Sequence, residues 1–104
     1  MATSEVIELL KKYIALLNSE GITVNRAFLF GSCATNKASD TSDIDVMIVP
    51  TNYDETDDAM AGKIWSLTRK VNTKIEPFVI GLKKFKANAS PLVNMIKTSG
   101  IEIV

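Results

Sequence analysis

Hydrophobic positions recur along this chain of 104 residues at two spacings, one typical of helices and one of strands. Near the N-terminus, apolar residues three and four positions apart predict an amphipathic helix over residues 4–19. Ser4 or Thr3 can cap its start, and Gly21 can end it. The same spacing predicts a second helix over residues 56–71. Ser90-Pro91 is a typical helix start and predicts a last helix that runs to about residue 98.

Short apolar runs bounded by turn residues predict four strands. These strands cover residues 26–30, 44–49, 74–80 and 101–104. Ser32 to Lys37 should form a tight turn or a single helical turn. Residues 39–42 and 52–58 are polar and should form loops. Pro77 cannot donate to a strand ladder, so the third strand should lie at a sheet edge or contain a bulge there.

The order of the predicted elements indicates the fold class. It is helix, strand, turn, strand, helix, strand, helix, strand, with no internal repeat or linker. The connection between the first two strands is too short for a standard parallel crossover. We therefore expect an α/β (α+β) fold in which helices flank a mixed β-sheet. A chain of this length should form one domain, residues 1–104.

Composition and charge narrow the class of protein. Lysine plus arginine and aspartate plus glutamate both number 12, so the formal net charge is zero. Zero net charge argues against strong, nonspecific nucleic-acid binding. No apolar run is long enough to span a bilayer and no secretory signal is visible, so we expect a cytoplasmic protein without membrane contact. Cys33 is the single cysteine and should be a small packing residue, and Trp65 is also expected in the core.

The chain contains no histidine. This excludes Ser-His-Asp and Cys-His catalysis and every zinc site that has a histidine ligand. Any metal must therefore be held by oxygen atoms, which are the ligands that magnesium and manganese prefer.

Two aspartates, Asp43 and Asp45, stand on either side of Ile44 at the start of the second predicted strand. Side chains alternate along a strand, so the two carboxylates should point to the same side and repel each other. A divalent cation is a natural compensating charge, and two such cations can clamp the oxygens of a phosphoryl displacement. The alternative is a surface strand with exposed acids.

Three further residues strengthen the interpretation as a phosphate and metal site. Gly31 ends the first strand and permits a sharp turn, and Ser32 could then direct its N–H and hydroxyl at a phosphate oxygen. Glu76 lies between apolar neighbours in the third strand and could reach a shared metal if that strand lies beside the second. The alternatives are a plain turn with a capping serine and an exposed glutamate at a sheet edge.

Two segments carry a family resemblance. Leu29-Phe30-Gly31-Ser32 together with Ser42-Asp43-Ile44-Asp45-Val46 resembles the signature of the minimal nucleotidyltransferases, which belong to the DNA polymerase beta-like superfamily. Ile75-Glu76-Pro77 is similar to the strand that bears the family's third acid. The resemblance extends over essentially the whole chain, and the family implies a mixed sheet with the acids at one rim.

The resemblance also implies an activity and a role for each site residue. Members transfer a nucleoside monophosphate, here most simply AMP, from a nucleoside triphosphate such as ATP to an acceptor hydroxyl with Mg²⁺. By this resemblance Gly31 and Ser32 hold the triphosphate, and Asp43 and Asp45 bind two metal ions. Glu76 binds the metal near the acceptor and helps take its proton. Many members of this size pair, as antitoxins, with a helical toxin that contains a HEPN domain, and some add AMP to that partner.

One departure from the family separates the alternatives. Members often carry an arginine directly after Gly-Ser and an arginine-glycine pair soon after, where this chain has Cys33, Thr35 and Asn36. The metals, the backbone and a lysine such as Lys37 would then meet the triphosphate charge, and catalysis would be weak or the acceptor unusual. The other hypotheses are a degenerate module that scaffolds or neutralises a helical partner, and a nucleotide-binding regulator without turnover. A homodimer or a heteromer would supply the surface for an acceptor.

Overall fold

A computed structural model describes residues 1–35, 42–88 and 90–104, which form four helices and four strands. The helices are α1 (Thr3–Ser19), α2 (Asp58–Leu67), α3 (Leu82–Lys86) and α4 (Pro91–Ser99), and a 3₁₀ turn (Thr68–Lys70) follows α2. The strands are β1 (Val24–Phe30), β2 (Ile44–Pro50), β3 (Ile75–Val79) and β4 (Ile101–Glu102). Within this described part of the chain, no helix has the length and apolar character to cross a membrane.

The four strands form one mixed sheet in the order β3-β2-β1-β4. β1 pairs antiparallel with both β2 and β4, whereas β2 and β3 run parallel. The parallel pair requires a crossover, and α2 lies within it. The predicted mixed sheet flanked by helices is confirmed. Pro77 lies in β3, an edge strand, as its missing N–H required.

Helices cover both faces of the sheet, which gives the domain two hydrophobic clusters. On one face, α1 and α2 pack against alternate residues of β1 and β2. The buried residues of this first cluster include Leu10, Tyr13, Leu17, Leu29, Ile44, Val46, Ile48 and Ile64. On the other face, α3 and α4 cover the intervening residues of the strands. The buried residues of this second cluster include Phe28, Met47, Val49, Phe85, Val93 and Ile96. Every residue of β2 except Asp45 is buried, since helices cover both faces of this strand.

The elements differ from the sequence predictions at several places. The helix α1 begins at Thr3, and its N-cap is Ala2, not Thr3 or Ser4. The Glu5 carboxylate accepts a hydrogen bond from the Ala2 N–H at 3.2 Å, so an acid in the first turn does the capping. The second helix tightens into the 3₁₀ turn after Leu67. The short helix α3 was not predicted, because five residues with three lysines show too little periodicity.

Candidate active site

Gly31 ends β1 in a backbone conformation that only glycine adopts readily, with φ at +75°. The neighbouring pair in the β1–β2 ladder is Phe30 and Asp45, so the Asp45 side chain lies directly against this glycine. A Cβ atom at position 31 would lie 2.5 Å from Asp45 Oδ2. The absent side chain at position 31 therefore leaves the room that the Asp45 carboxylate occupies.

The turn after Gly31 is tied to the start of β2 and to α1. Within the turn, the Ala34 N–H donates to the Gly31 carbonyl at 3.1 Å, and the Thr35 N–H donates to the Ser32 carbonyl at 3.3 Å. The Cys33 thiol donates to the Asp43 carbonyl at 3.4 Å. Burial and the charge of Asp45 raise the pKa of this thiol, which suits the predicted packing role and not a nucleophile. Cys33 thus fixes the turn beside Asp43.

The three predicted acids come together because β3 lies beside β2. The parallel register pairs Asp45 with Glu76, which places their side chains next to each other on one face of the sheet. Partial burial, followed by the charge of Asp43, raises the pKa of Asp45. The charge of Asp43 is also the largest cause that raises the pKa of Glu76, ahead of slight desolvation, the Asp45 charge and a hydrogen bond to Asp43. The three carboxylates therefore repel one another at one rim.

A metal site can be judged from these oxygens. Across the described ranges, no three histidine, cysteine, aspartate or glutamate side chains are posed as a ready ligand set for one ion. The donor chemistry nevertheless fits a hard cation, because all three groups are carboxylates and their mutual repulsion is what such a cation would relieve. Binding would require the side chains to turn toward the ion.

Some predicted features lie outside the described residues. These are Asn36, Lys37 and the loop residues 39–41, so the lysine expected at the triphosphate stays a prediction. Ser32 lies half-buried in the turn. It follows Gly31, which lies against the Asp45 side chain. The structure thus brings Gly31, Asp45 and Glu76 together, with Asp43 hydrogen-bonded to Glu76 and Ser32 next to Gly31 in the chain.

The raised pKa of Asp45 gives a stability prediction. An acid whose folded pKa lies above its unfolded value costs stability above that pKa, and the cost disappears as the pH falls through it. Asp45→Asn should therefore raise the melting temperature at pH 7 in EDTA, and the gain should shrink toward pH 4. Calorimetry from pH 7 to pH 4 measures this difference.

Asp54 provides the control of opposite sign. Its carboxylate accepts hydrogen bonds from the Thr56 N–H and hydroxyl, which lower the pKa of Asp54. Asp54→Asn should therefore bring no gain at pH 7. An equal gain in both variants would show that loss of negative charge in general, and not the site, is responsible.

An open cavity of about 410 Å³ adjoins Glu76 on the outer side of β3. Its lining includes Gly62, Trp65, Ser66, Arg69, Thr73 and Glu76. The prediction that Trp65 lies in the core was wrong, since 47% of its surface is exposed. That prediction rested on the lack of a basic-aromatic stacking pattern, but the buried residues of α2 are Ile64 and Leu67. The sequence feature that could have indicated this cavity is Gly62, a glycine in the middle of a helix.

A small mixed sheet with carboxylates at one rim and a glycine-serine turn beside them is the architecture of a nucleotidyltransferase domain. The family model "Polymerase beta, Nucleotidyltransferase" matches residues 8–104, and the chain belongs to this family. The resemblance drawn from the two motifs is confirmed. No curated protein matches the chain significantly.

Among solved structures, the fold is similar to that of a protein from Sulfolobus solfataricus that is provisionally assigned as a nucleotidyltransferase. The TM-score is 0.62 at 20% sequence identity, and the match covers 82% of this chain and 75% of that one. At this identity the likeness concerns the fold, and it supports the mixed sheet with flanking helices.

Proposed function

We propose that this protein transfers a nucleoside monophosphate, most simply AMP, from a magnesium-bound nucleoside triphosphate to an acceptor hydroxyl. The observation that carries the proposal is the register that places Glu76 beside Asp45, with Gly31 packed on the same carboxylate. One rim thus combines a turn able to approach a phosphate with three oxygen donors. Membership of the nucleotidyltransferase family supports the reaction class.

Each site residue of the chain has its own role in the proposed reaction. Asp43, Asp45 and Glu76 would hold magnesium, which when bound supplies positive charge to the phosphate oxygens. The turn at Gly31 and Ser32 would hold the triphosphate by its backbone N–H groups. The acceptor oxygen attacks the α-phosphorus, the bond from that phosphorus to the bridging oxygen breaks, and pyrophosphate leaves. Glu76 receives the proton of the acceptor hydroxyl.

Isotope position in ATP tests the reaction. Incubated with magnesium and a cell extract as the source of acceptors, the protein should transfer label from α-labelled ATP and none from γ-labelled ATP. EDTA should abolish the transfer. Label from the γ-position, or transfer that is indifferent to EDTA, would identify a different reaction and overturn the proposal.

A second function is a binding module that neutralises a helical partner, such as a toxin with a HEPN domain. Two observations favour it: the turn residues Cys33 and Thr35 stand where relatives often have arginine, and α4 exposes apolar side chains. Leu92 and Met95 are 43% and 47% exposed. As an active antitoxin, the protein would add AMP to that partner; as a degenerate one, it would only bind it.

A pull-down separates the two functions. Wild type and an Asp43→Asn/Asp45→Asn double variant serve as bait for a candidate helical partner, with and without ATP and magnesium. Equal capture by both, with no nucleotide needed and no label transferred by wild type, would establish the binding module. Label on the partner with wild type only would establish the enzyme.

A further inference from the structure

The cavity beside Glu76 lies between α2, the 3₁₀ turn and the edge strand β3. Its volume, about 410 Å³, suits a ligand of small-molecule size. Glu76 forms one wall and also neighbours Asp45 in the sheet, so a ligand in the cavity would reach the rim of the proposed active site. The opposite wall belongs to α2 and the 3₁₀ turn.

Trp65 and Arg69 provide that opposite wall with two recognition groups. Trp65 is the single tryptophan of the chain and is 47% exposed. Arg69 follows in the 3₁₀ turn, and both residues line the cavity. In the described residues, neither the indole N–H nor the Arg69 guanidinium has a hydrogen-bond or ion-pair partner. A planar ring and a fixed positive charge therefore line the same cavity.

Gly62 lines the cavity without adding a side chain to it. It lies inside α2, where glycine weakens a helix relative to alanine. A Cβ atom at this position would meet nothing within 4 Å, so no packing contact in the described structure requires glycine there. The missing side chain leaves the helix backbone open to the cavity, one turn before Trp65 and Ser66.

The helix that bears these groups is firmly held. The Tyr13 hydroxyl, which is buried, donates to the Ile64 carbonyl at 2.6 Å and joins α1 to α2. The Lys63 ammonium donates to the Glu20 carbonyl at 2.9 Å. The carbonyl of Trp65 accepts from the buried Thr68 hydroxyl at 2.7 Å. These contacts hold the backbone of α2 on either side of Trp65.

We propose that this cavity is the acceptor site of the transfer, and that the acceptor is a ring-bearing anion the size of one nucleotide. Trp65 stacks on the ring, Arg69 binds the anionic group, and the acceptor hydroxyl faces Glu76. The role of the ligand as an acceptor rests on the proposed function, but its binding to the cavity does not depend on metal. One ring and one guanidinium suit a single nucleotide, and the zero net charge argues against a long strand.

Fluorescence of Trp65 offers a direct readout, since no other tryptophan contributes. The probe is AMP titrated into the wild-type protein in EDTA, where the metal-dependent triphosphate site should be idle. AMP should quench or shift the emission, adenosine should bind about tenfold more weakly, and inorganic phosphate alone should not stack on the indole. No change with AMP, together with no binding by calorimetry, would overturn the proposal.

Matched variants locate the bound nucleotide. Arg69→Gln should weaken AMP binding about tenfold or more, whereas Lys70→Gln, which removes the neighbouring charge outside the cavity lining, should leave it nearly unchanged. Calorimetry on Trp65→Leu should show lost binding, and Trp65→Phe should retain part of it. Equal losses in the Arg69 and Lys70 variants would indicate nonspecific attraction and reject the site.

Two nucleotide sources remain to be told apart by the same titration. A free mononucleotide acceptor predicts that AMP binds at least as tightly as a short single-stranded oligonucleotide, and a strand end predicts the reverse. A tyrosine-containing acidic peptide that quenches Trp65 while both nucleotide forms fail would overturn the nucleotide class. If AMP binds in EDTA but no label is ever transferred from α-labelled ATP, the acceptor interpretation fails with the proposed function while the ligand site stands.

Gly62→Ala should separate stability from binding. Alanine is the better helix former and meets no atom at this position, so the melting temperature should rise by about 4 °C. The added methyl group narrows the cavity, so AMP binding should weaken several-fold. Differential scanning calorimetry and the fluorescence titration measure the two effects. A variant that is more stable and binds AMP as well as wild type would remove Gly62 from the site.

Discussion

Asp45→Asn is expected to lower transfer of label from α-labelled ATP by about a thousandfold or more. A neutral amide at this position removes a ligand charge beside Asp43 and Glu76, and a bound metal ion contributes several kcal/mol to such reactions, at about 1.4 kcal/mol per tenfold in rate. Asp43→Asn should have a comparable effect. Initial rates at saturating ATP and magnesium, on proteins whose folding is verified by circular dichroism, measure the loss.

The stability of the same variant makes this result decisive. Since the pKa of Asp45 is raised by burial and by Asp43, the asparagine variant should be at least as stable as wild type at pH 7. An inactive yet stable protein would show that the carboxylate serves the reaction and not the fold. Asp58→Asn, which changes an acid at the start of α2, is the control for charge. Unreduced transfer in both Asp43 and Asp45 variants would eliminate the enzymatic proposal.

Gly31→Ala is expected to cost about 1–2 kcal/mol of stability from backbone strain alone, because φ is +75°. Its Cβ would lie 2.5 Å from Asp45 Oδ2, so the carboxylate must also move. Displacement of a group by about 1 Å can reduce a rate a hundredfold, so transfer should fall well beyond the stability effect. Chemical denaturation and label transfer at a temperature where the variant is folded measure both.

Gly21→Ala is the matched control for that substitution. Gly21 has a similar φ of +86°, but nothing lies within 4 Å of the Cβ that alanine would add. It should lose stability by a similar amount and keep its activity. If both variants lost transfer equally, the loss would trace to general destabilisation, and the close approach of Gly31 to Asp45 would have no catalytic role.

Periodicity was sufficient to predict most of the fold. Short apolar runs located β1, β2 and β3 to within two residues at each end, and the short link after Gly31 predicted the mixed sheet. Burial of β2 on both faces could not be read from its sequence, since an apolar run fits several sheet positions. The helix α3 escaped because its one buried aromatic, Phe85, stands among lysines.

The roles of the site residues stay a prediction, and local sequence pattern could establish only part of their arrangement. Local spacing showed that Asp43 and Asp45 share a side, because that follows from strand geometry. That Asp45 is paired with Glu76 depends on how β3 docks, which is a tertiary event with no local signal. Trp65 was misassigned because the sequence shows no basic-aromatic stacking pattern, whereas its exposure depends on the position of α2 relative to β3.

The connectivity of the sheet brings the site residues together through contacts of different range along the chain. The phosphate turn and two of the acids belong to adjacent antiparallel strands that meet after a short loop closes. Glu76 arrives only when the chain has passed through α2 and laid β3 in parallel beside β2, a contact of longer range. A ligand that engages all three carboxylates would thus connect a short-range and a long-range strand pair. Its binding energy would stabilise the folded state and hold the edge strand in place.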